Sequence, residues 1–191
     1  MLVALGTLAS AQTKGTEATA RAAAQLLDYA ATHPDAVLRY KSSDMVLHVH
    51  SDASYLSEPN ARSRAGGLFF LSSMPSANAN AATDYPPPLN GAIHITSSIM
   101  RNVLASATEA EVGALFHNCQ DACMLRTTLD ELGHPQPATP VQTDNACAEG
   151  IVNDTVKQKR SKAIDMRFYW VRDSLGHFIV HWKKGVDNQA N

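Results

Sequence analysis

The sequence predicts an α/β fold in which a mixed β-sheet carries helices on its faces, with a helical segment before it. Short apolar runs with strand-like alternation precede the first long helical segment, and further strands and helices follow it. An alanine-rich helix stands apart near the start. With 191 residues, 45% of them hydrophobic and 18% charged, the chain is long enough to bury one core.

Residues 1–90 contain one predicted helix and three predicted strands. The alanine-rich helix runs from Thr13 to about His33 and ends before Pro34, which cannot continue it. Strands are predicted over residues 36–40, 45–51 and 65–71. The second of these leads directly to Asp52. Ser, Asn, Ala and Pro dominate residues 72–90, which predicts a loop.

The second half of the chain predicts alternating strands and helices. A strand over residues 91–96 precedes a long helix over residues 106–132, which Gly133 and Pro135 end. The remaining predicted elements are a strand over residues 141–143, helices over residues 146–152 and 163–172, and a strand over residues 178–182. We therefore divide the chain into an upstream segment, residues 1–44, and a main domain, residues 45–191.

Composition and charge exclude several classes of protein. Three cysteines at unpaired spacings argue against both a disulfide framework and a zinc ribbon. No apolar run approaches the roughly 20 residues that span a bilayer, so we expect no membrane partner and a cytoplasmic or nuclear location. The net charge is −2, yet eight of the 16 lysines and arginines lie within residues 157–184. This asymmetry predicts a locally basic surface.

Three acids lie at the ends of predicted elements. Asp52 and Asp144 each follow a strand, and Glu109 begins the long helix. Two-metal phosphodiester hydrolysis needs hard oxygen ligands that hold two Mg²⁺ ions about 3.5–4 Å apart. Acids are also favoured at such positions by the helix dipole and by turn chemistry, so position alone leaves a purely structural role open.

Several segments together resemble the ribonuclease H domain of copia-type retrotransposon polyproteins. The matching segments are residues 50–56 and 62–67, the Thr-Glu-Ala-Glu sequence at 108–111, the Thr-Asp-Asn sequence at 143–145 and the basic sequence at 160–167. Residues 5–10 and the helix that ends at Pro34 resemble the end of a reverse transcriptase region. The resemblance therefore covers almost the whole chain and implies a ribonuclease H-like fold.

The resemblance implies a site that holds two Mg²⁺ or Mn²⁺ ions. Asp52, Glu109 and Asp144 match the family's first three metal-binding acids. The fourth family position falls on Asn191, where asparagine stands in place of aspartate and offers no charge to a metal ion. Glu111 points about 200° away from Glu109 around the helix, so both cannot face one site. The match to the family's Thr-Glu-Ala-Glu motif assigns Glu109 to the site, and we expect Glu111 to face solvent.

The implied substrate is an RNA:DNA hybrid, and the implied partner is the rest of a retrotransposon polyprotein. An active element would place the protein in a virus-like particle. The residues expected to contact nucleic acid are Arg62, Arg64, Asn145, Lys157, Lys159, Arg160, Lys162, Lys183 and Lys184. A catalytically decayed copy and a domesticated nucleic-acid-binding module without activity are the alternatives.

Overall fold

A computed structural model describes residues 1–74, 88–156 and 166–190 of the chain. Five strands within these residues form one sheet. The strands are β1 (Val46–Glu58), β2 (Arg62–Ser72), β3 (Ala92–Ile99), β4 (Thr139–Thr143) and β5 (Phe178–Trp182). Their order in the sheet is β3-β2-β1-β4-β5. The first three are antiparallel neighbours, whereas β4 runs parallel to both β1 and β5. The predicted mixed sheet is confirmed.

The described residues also form five α-helices. They are α1 (Leu2–Ser10), α2 (Glu17–Thr32), α3 (Ala107–Glu131), α4 (Ala146–Val152) and α5 (Met166–Asp173). The helix α3 begins at Ser106, whose hydroxyl accepts a hydrogen bond from the Glu109 backbone N–H at 3.1 Å. None of the helices within the described ranges is long and apolar enough to cross a membrane.

The main core lies between one face of the sheet and α3. Alternate residues of β1, such as Leu47 and Val49, contribute to it, because successive side chains of a strand point to opposite faces. Leu115 and Cys119 supply the helix side, and the remaining helices of the domain add Val152 and Val171 to the same cluster. Full burial of such side chains stabilises the fold by roughly 1.5–3 kcal/mol each.

One buried amide ties α3 to the sheet. The Asn118 side-chain nitrogen donates hydrogen bonds to Ser51 Oγ and to the Gly66 carbonyl, both at 2.8 Å. The Asn118 carbonyl oxygen accepts a third hydrogen bond from Thr96 Oγ1 at 3.1 Å. A Cβ atom at position 67 would overlap this amide, so the sequence needs glycine at Gly67. Asn118 therefore contacts β1, β2 and β3 at once.

The chain divides into two compact units, Met1–Arg39 and Tyr40–Asn191. In the first unit α1 was not predicted, and α2 begins at Glu17 because the Thr16 and Thr19 side chains form a reciprocal cap. None of its helices has a buried residue.

The strand predicted over residues 36–40 is wrong, since this stretch is irregular. Irregular backbone continues to Met45, and its hydrogen bonds run to the segment that leads into β3. The Tyr40 hydroxyl donates to the Ala92 carbonyl at 3.0 Å, and Lys41 N donates to Asn90 Oδ1 at 2.7 Å. Residues 40–44 therefore lie with the second unit, whereas the sequence suggested a boundary at 44.

Candidate metal centre

Asp52 lies within β1, opposite Gly66 of β2. The strand leads into it through Val49, His50 and Ser51, all of which are buried, while Asp52 itself is half-buried. Burial raises the pKa of the Asp52 carboxyl, and the neighbouring charge of Asp144 raises it further. A nearby cation would stabilise the ionised form of a carboxyl in this environment.

Asp144 reaches the same place because β4 runs parallel to β1. His50 pairs with Gln142 across these two strands, and two residues further along each strand come Asp52 and Asp144. Residues two apart on a strand share a face, so the two acids lie side by side at one end of the pair.

Glu111 supplies the third carboxylate from the first turns of α3. One carboxylate oxygen from each of Asp52, Glu111 and Asp144 lies within 4.8 Å of the other two. Glu111 is buried, with 6% of its surface exposed, and its Oε1 accepts a hydrogen bond from Ala53 N at 3.3 Å. Burial, followed by the charges of the two aspartates, raises the pKa of Glu111 to about 8.

The pH dependence of stability follows from this shift. Folded Glu111 keeps its proton up to about pH 8, whereas glutamate in the unfolded chain loses it near pH 4.5. The contribution of protonated Glu111 to the unfolding free energy is therefore complete below pH 4.5 and is lost as the pH rises toward 8. Burial lowers the pKa of His48, His50 and His181 to about 4. Because these histidines bind protons more readily in the unfolded chain, they make the unfolding free energy rise with pH below pH 6.5. The window in which Glu111 dominates is therefore pH 6.5 to 8.

We expect metal-free protein to lose about 1.4 kcal/mol of unfolding free energy per pH unit in this window, and Glu111→Gln to remove the slope. Denaturant titrations at several pH values in EDTA measure both proteins. Identical slopes for the two would contradict the raised pKa of Glu111.

The structure does not bring Glu109, which the sequence assigned to the site, into the acid cluster. Glu109 lies in the first turn of α3, and its Oε2 accepts a hydrogen bond from Ala105 N at 2.6 Å. It therefore bonds the backbone just before its own helix, in the first turn, where acids are favoured by the helix dipole. Glu111, which was expected to face solvent, is the acid that points to the sheet.

Helical periodicity contained the signal that distinguishes the two glutamates. Leu115, Asn118 and Ala122 are buried, and they follow Glu111 by four, seven and eleven residues. That spacing marks one face of a helix. A charged residue in line with a core face is a better candidate for a buried site than its neighbour at the first turn.

The donor set fits a divalent cation. Glu111 Oε2 is buried and has no hydrogen-bond partner among the described residues. Within the same part of the chain, none of the three acids takes part in a salt bridge. Three carboxylates held together without a cation repel one another, and Mg²⁺ and Mn²⁺ prefer oxygen ligands of this kind.

The segment that follows β5 supports the strand behind Asp52. The Asn188 side-chain nitrogen donates to the Ser51 carbonyl at 2.8 Å, and Gln189 N lies 3.1 Å from His50 Nδ1, which accepts. Gln142 Nε2 donates to the Asp187 carbonyl at 2.9 Å. One of these contacts reaches the β1 backbone, and the other two involve the side chains of His50 in β1 and Gln142 in β4.

Comparison with known proteins agrees with this architecture. No protein-family model matches the chain. The chain is 28% identical over 139 residues to the retrovirus-related Pol polyprotein from transposon TNT 1-94 of Nicotiana tabacum. The aligned region spans 72% of this chain and only 9% of that polyprotein. LC11-RNase H1, isolated from compost, superposes with a TM-score of 0.52 at 11% identity over 75% of this chain and 88% of the other.

The chain has a ribonuclease H-like fold. The same LC11-RNase H1 in complex with an RNA/DNA hybrid matches it with a TM-score of 0.50 and 11% identity, over 75% of this chain and 88% of the other. These structural matches concern the fold. The predicted ribonuclease H-like fold is confirmed.

Several residues predicted to contact metal or nucleic acid lie outside the described residues of this ribonuclease H-like domain. They are Lys157, Lys159, Arg160, Lys162 and Asn191. Their roles stay predictions from the family resemblance.

Arg64 does not offer a free guanidinium at the surface of the ribonuclease H-like domain. It is buried, with its Nε 2.6 Å from Glu58 Oε1 and its Nη1 donating to the Ser97 carbonyl and hydroxyl at 3.2 Å. The structure therefore gives the Arg64 side chain a structural role and does not place its guanidinium where a phosphate could contact it. Arg62, its neighbour in β2, is half-buried.

The remaining candidates lie close to the acids. The Asn145 carbonyl oxygen caps α4 by accepting a hydrogen bond from Ala148 N at 3.0 Å. Lys183 N donates to the Thr143 carbonyl at 3.0 Å, which places the half-buried Lys183 and the exposed Lys184 beside the end of β4. Their contact with nucleic acid stays a prediction.

Proposed function

We propose that this domain hydrolyses the RNA strand of an RNA:DNA hybrid, with Mg²⁺ or Mn²⁺ as cofactor. The observation that carries the proposal is the approach of Asp52, Glu111 and Asp144 to within 4.8 Å of one another. Three carboxylates brought together from two strands and a helix destabilise the metal-free fold by mutual repulsion. Such a cluster is typical of a site whose charge is balanced by bound cations.

The three acids would hold two ions. Divalent ions in such a site activate a water molecule and stabilise the leaving oxygen of the phosphodiester. The buried Oε2 of Glu111 provides a ligand atom with no hydrogen-bond partner among the described residues. The half-buried Asp52 and Asp144 leave the other side of the cluster accessible to a phosphate.

The substrate and the setting are part of the same proposal. Lys183 and Lys184 follow β5 at the edge that carries the acids, where they would contact backbone phosphates without reading sequence. The hybrid complex of LC11-RNase H1 and the match to a transposon Pol polyprotein support a hybrid substrate and a polyprotein context. We further propose a copia-type element, with residues 1–44 derived from a reverse transcriptase and a location in the cytoplasm, nucleus or virus-like particle.

Cleavage of a labelled RNA strand within an RNA:DNA hybrid tests this function. We expect cleavage that depends on Mg²⁺ or Mn²⁺ and that falls at least about a hundredfold in Asp52→Asn, because this variant lacks one negatively charged metal ligand. The matched control is Asp28→Asn, an exposed aspartate of α2, which should cleave normally. Hybrid binding by a folded protein that cleaves with neither metal would overturn the proposal and favour a binding module.

A further inference from the structure

An exposed tryptophan lies directly beside the acid cluster. Trp182 is the last residue of β5, and it pairs with Thr143, the residue before Asp144. Its side chain is 43% exposed, although large aromatic residues are usually well buried. The cluster therefore has an apolar ring at its border.

The indole ring is held in one orientation. Trp182 Nε1 donates a hydrogen bond to the Asp144 backbone carbonyl at 2.9 Å, and the next residue, Lys183, donates from its backbone to Thr143. Because its only polar group is already paired, the exposed part of the ring has only apolar surface to offer a ligand. A rigid, exposed ring loses little conformational entropy when it binds one.

The residues around the ring suit a nucleic acid. Lys183 and Lys184 follow immediately, and an aromatic ring beside basic residues is the combination with which proteins hold sugars and bases while contacting phosphates. In a duplex the bases stack on one another, so a ring at the surface meets the sugars of the backbone first.

From this arrangement we propose that Trp182 is a substrate-binding residue, whose ring packs against the sugar of a nucleotide next to the phosphate that is cleaved. The inference rests on the proposed function, and it adds a contact that carries no charge. A contact of this kind tolerates any sequence, as an enzyme that degrades hybrids requires. It contributes mainly to binding, because the ring touches no reacting atom.

Kinetic constants for two variants separate substrate contact from support of Asp144. Trp182→Ala should raise KM for an RNA:DNA hybrid about tenfold with little change in kcat, whereas Trp182→Phe, which keeps a ring but loses the N–H donor, should stay within about threefold in KM. If the indole only positions Asp144, both variants lose kcat and Mg²⁺ affinity equally and KM is unchanged. That result would overturn the inference.

Intrinsic fluorescence gives a readout that does not depend on cleavage. The chain has two tryptophans, and the other, Trp170, packs against Phe116 with ring centroids 5.4 Å apart. In a Trp170→Phe variant, titration with a hybrid in Ca²⁺ should change Trp182 emission and protect it from acrylamide. Anisotropy of a labelled hybrid measures binding in the same samples.

The outcomes distinguish the two proposals. Binding and cleavage with unchanged Trp182 emission and quenching would overturn the role of Trp182 and leave the nuclease intact. Absence of both binding and cleavage by folded protein would overturn the proposed function and this inference with it. Changed emission together with a raised KM in Trp182→Ala supports both.

Discussion

Replacing Glu111 with glutamine should abolish metal-dependent cleavage of an RNA:DNA hybrid, with a loss of about a thousandfold in kcat/KM. The substitution keeps the shape of the side chain and removes one of three charges that face the metal site. Charge stabilisation by metal ions in such sites contributes several kcal/mol to the transition state, and a thousandfold loss corresponds to about 4 kcal/mol.

Glu109→Gln is the matched control, because it makes the same chemical change two residues away. It should retain cleavage within about threefold and lose only a fraction of a kcal/mol of stability, as expected for an acid at a helix N-terminus. In EDTA, Glu111→Gln should also be more stable than the wild type at pH 8. Equal loss of cleavage in the two variants, or loss only in Glu109→Gln, would restore Glu109 to the site.

Replacing Arg64 with alanine should lower the unfolding free energy by about 3 kcal/mol. The guanidinium forms an ion pair with Glu58 in a place where both side chains are nearly inaccessible, with 6% and 12% of their surfaces exposed. Removing one partner of a buried pair leaves the other charge without compensation, which destabilises proteins by about 3–5 kcal/mol. Urea unfolding monitored by circular dichroism measures the change.

Arg62→Ala provides the comparison for Arg64, since it removes the same group from the half-buried neighbouring strand position. A loss below about 1 kcal/mol is expected there. Hybrid binding gives a second readout: if Arg64 contacted phosphate, its replacement would reduce the salt dependence of the binding constant. An unchanged salt dependence with a large loss of stability is the result that we expect.

Much of the sheet and of α3 could be predicted because local sequence decides them. The helix α4 and the strand β5 have the predicted bounds, and α3 begins after the predicted Ser106, where side-chain capping is a local property. The strand predicted over residues 36–40 failed for the opposite reason. Its apolar residues include Val37 and Leu38, which remain 70% and 63% exposed. No strand among the described residues pairs with them.

The structure brings the two aspartates named from the sequence together, with Glu111 beside them where the sequence suggested Glu109. Asp52 and Asp144 follow apolar strand residues, and parallel neighbours place such positions together. The choice between Glu109 and Glu111 depended on which of them continues the buried face of α3, and the spacing of Leu115 and Ala122 favours Glu111. The burial of Arg64 involves a contact with Ser97 of β3, 33 residues further along the chain.

The Asn118 amide, which bonds three strands, limits how far α3 can shift along its axis relative to the sheet. A slip of α3 by one turn would move Glu111 about 5.4 Å along the helix axis, which exceeds the 4.8 Å within which the carboxylate oxygens of the cluster meet. Three hydrogen bonds to separate strands oppose that slip, seven residues from the glutamate itself. An uncharged residue about 10 Å along the helix, which is not one of the acids that would bind the ions, thus helps to fix the distances between the carboxylates.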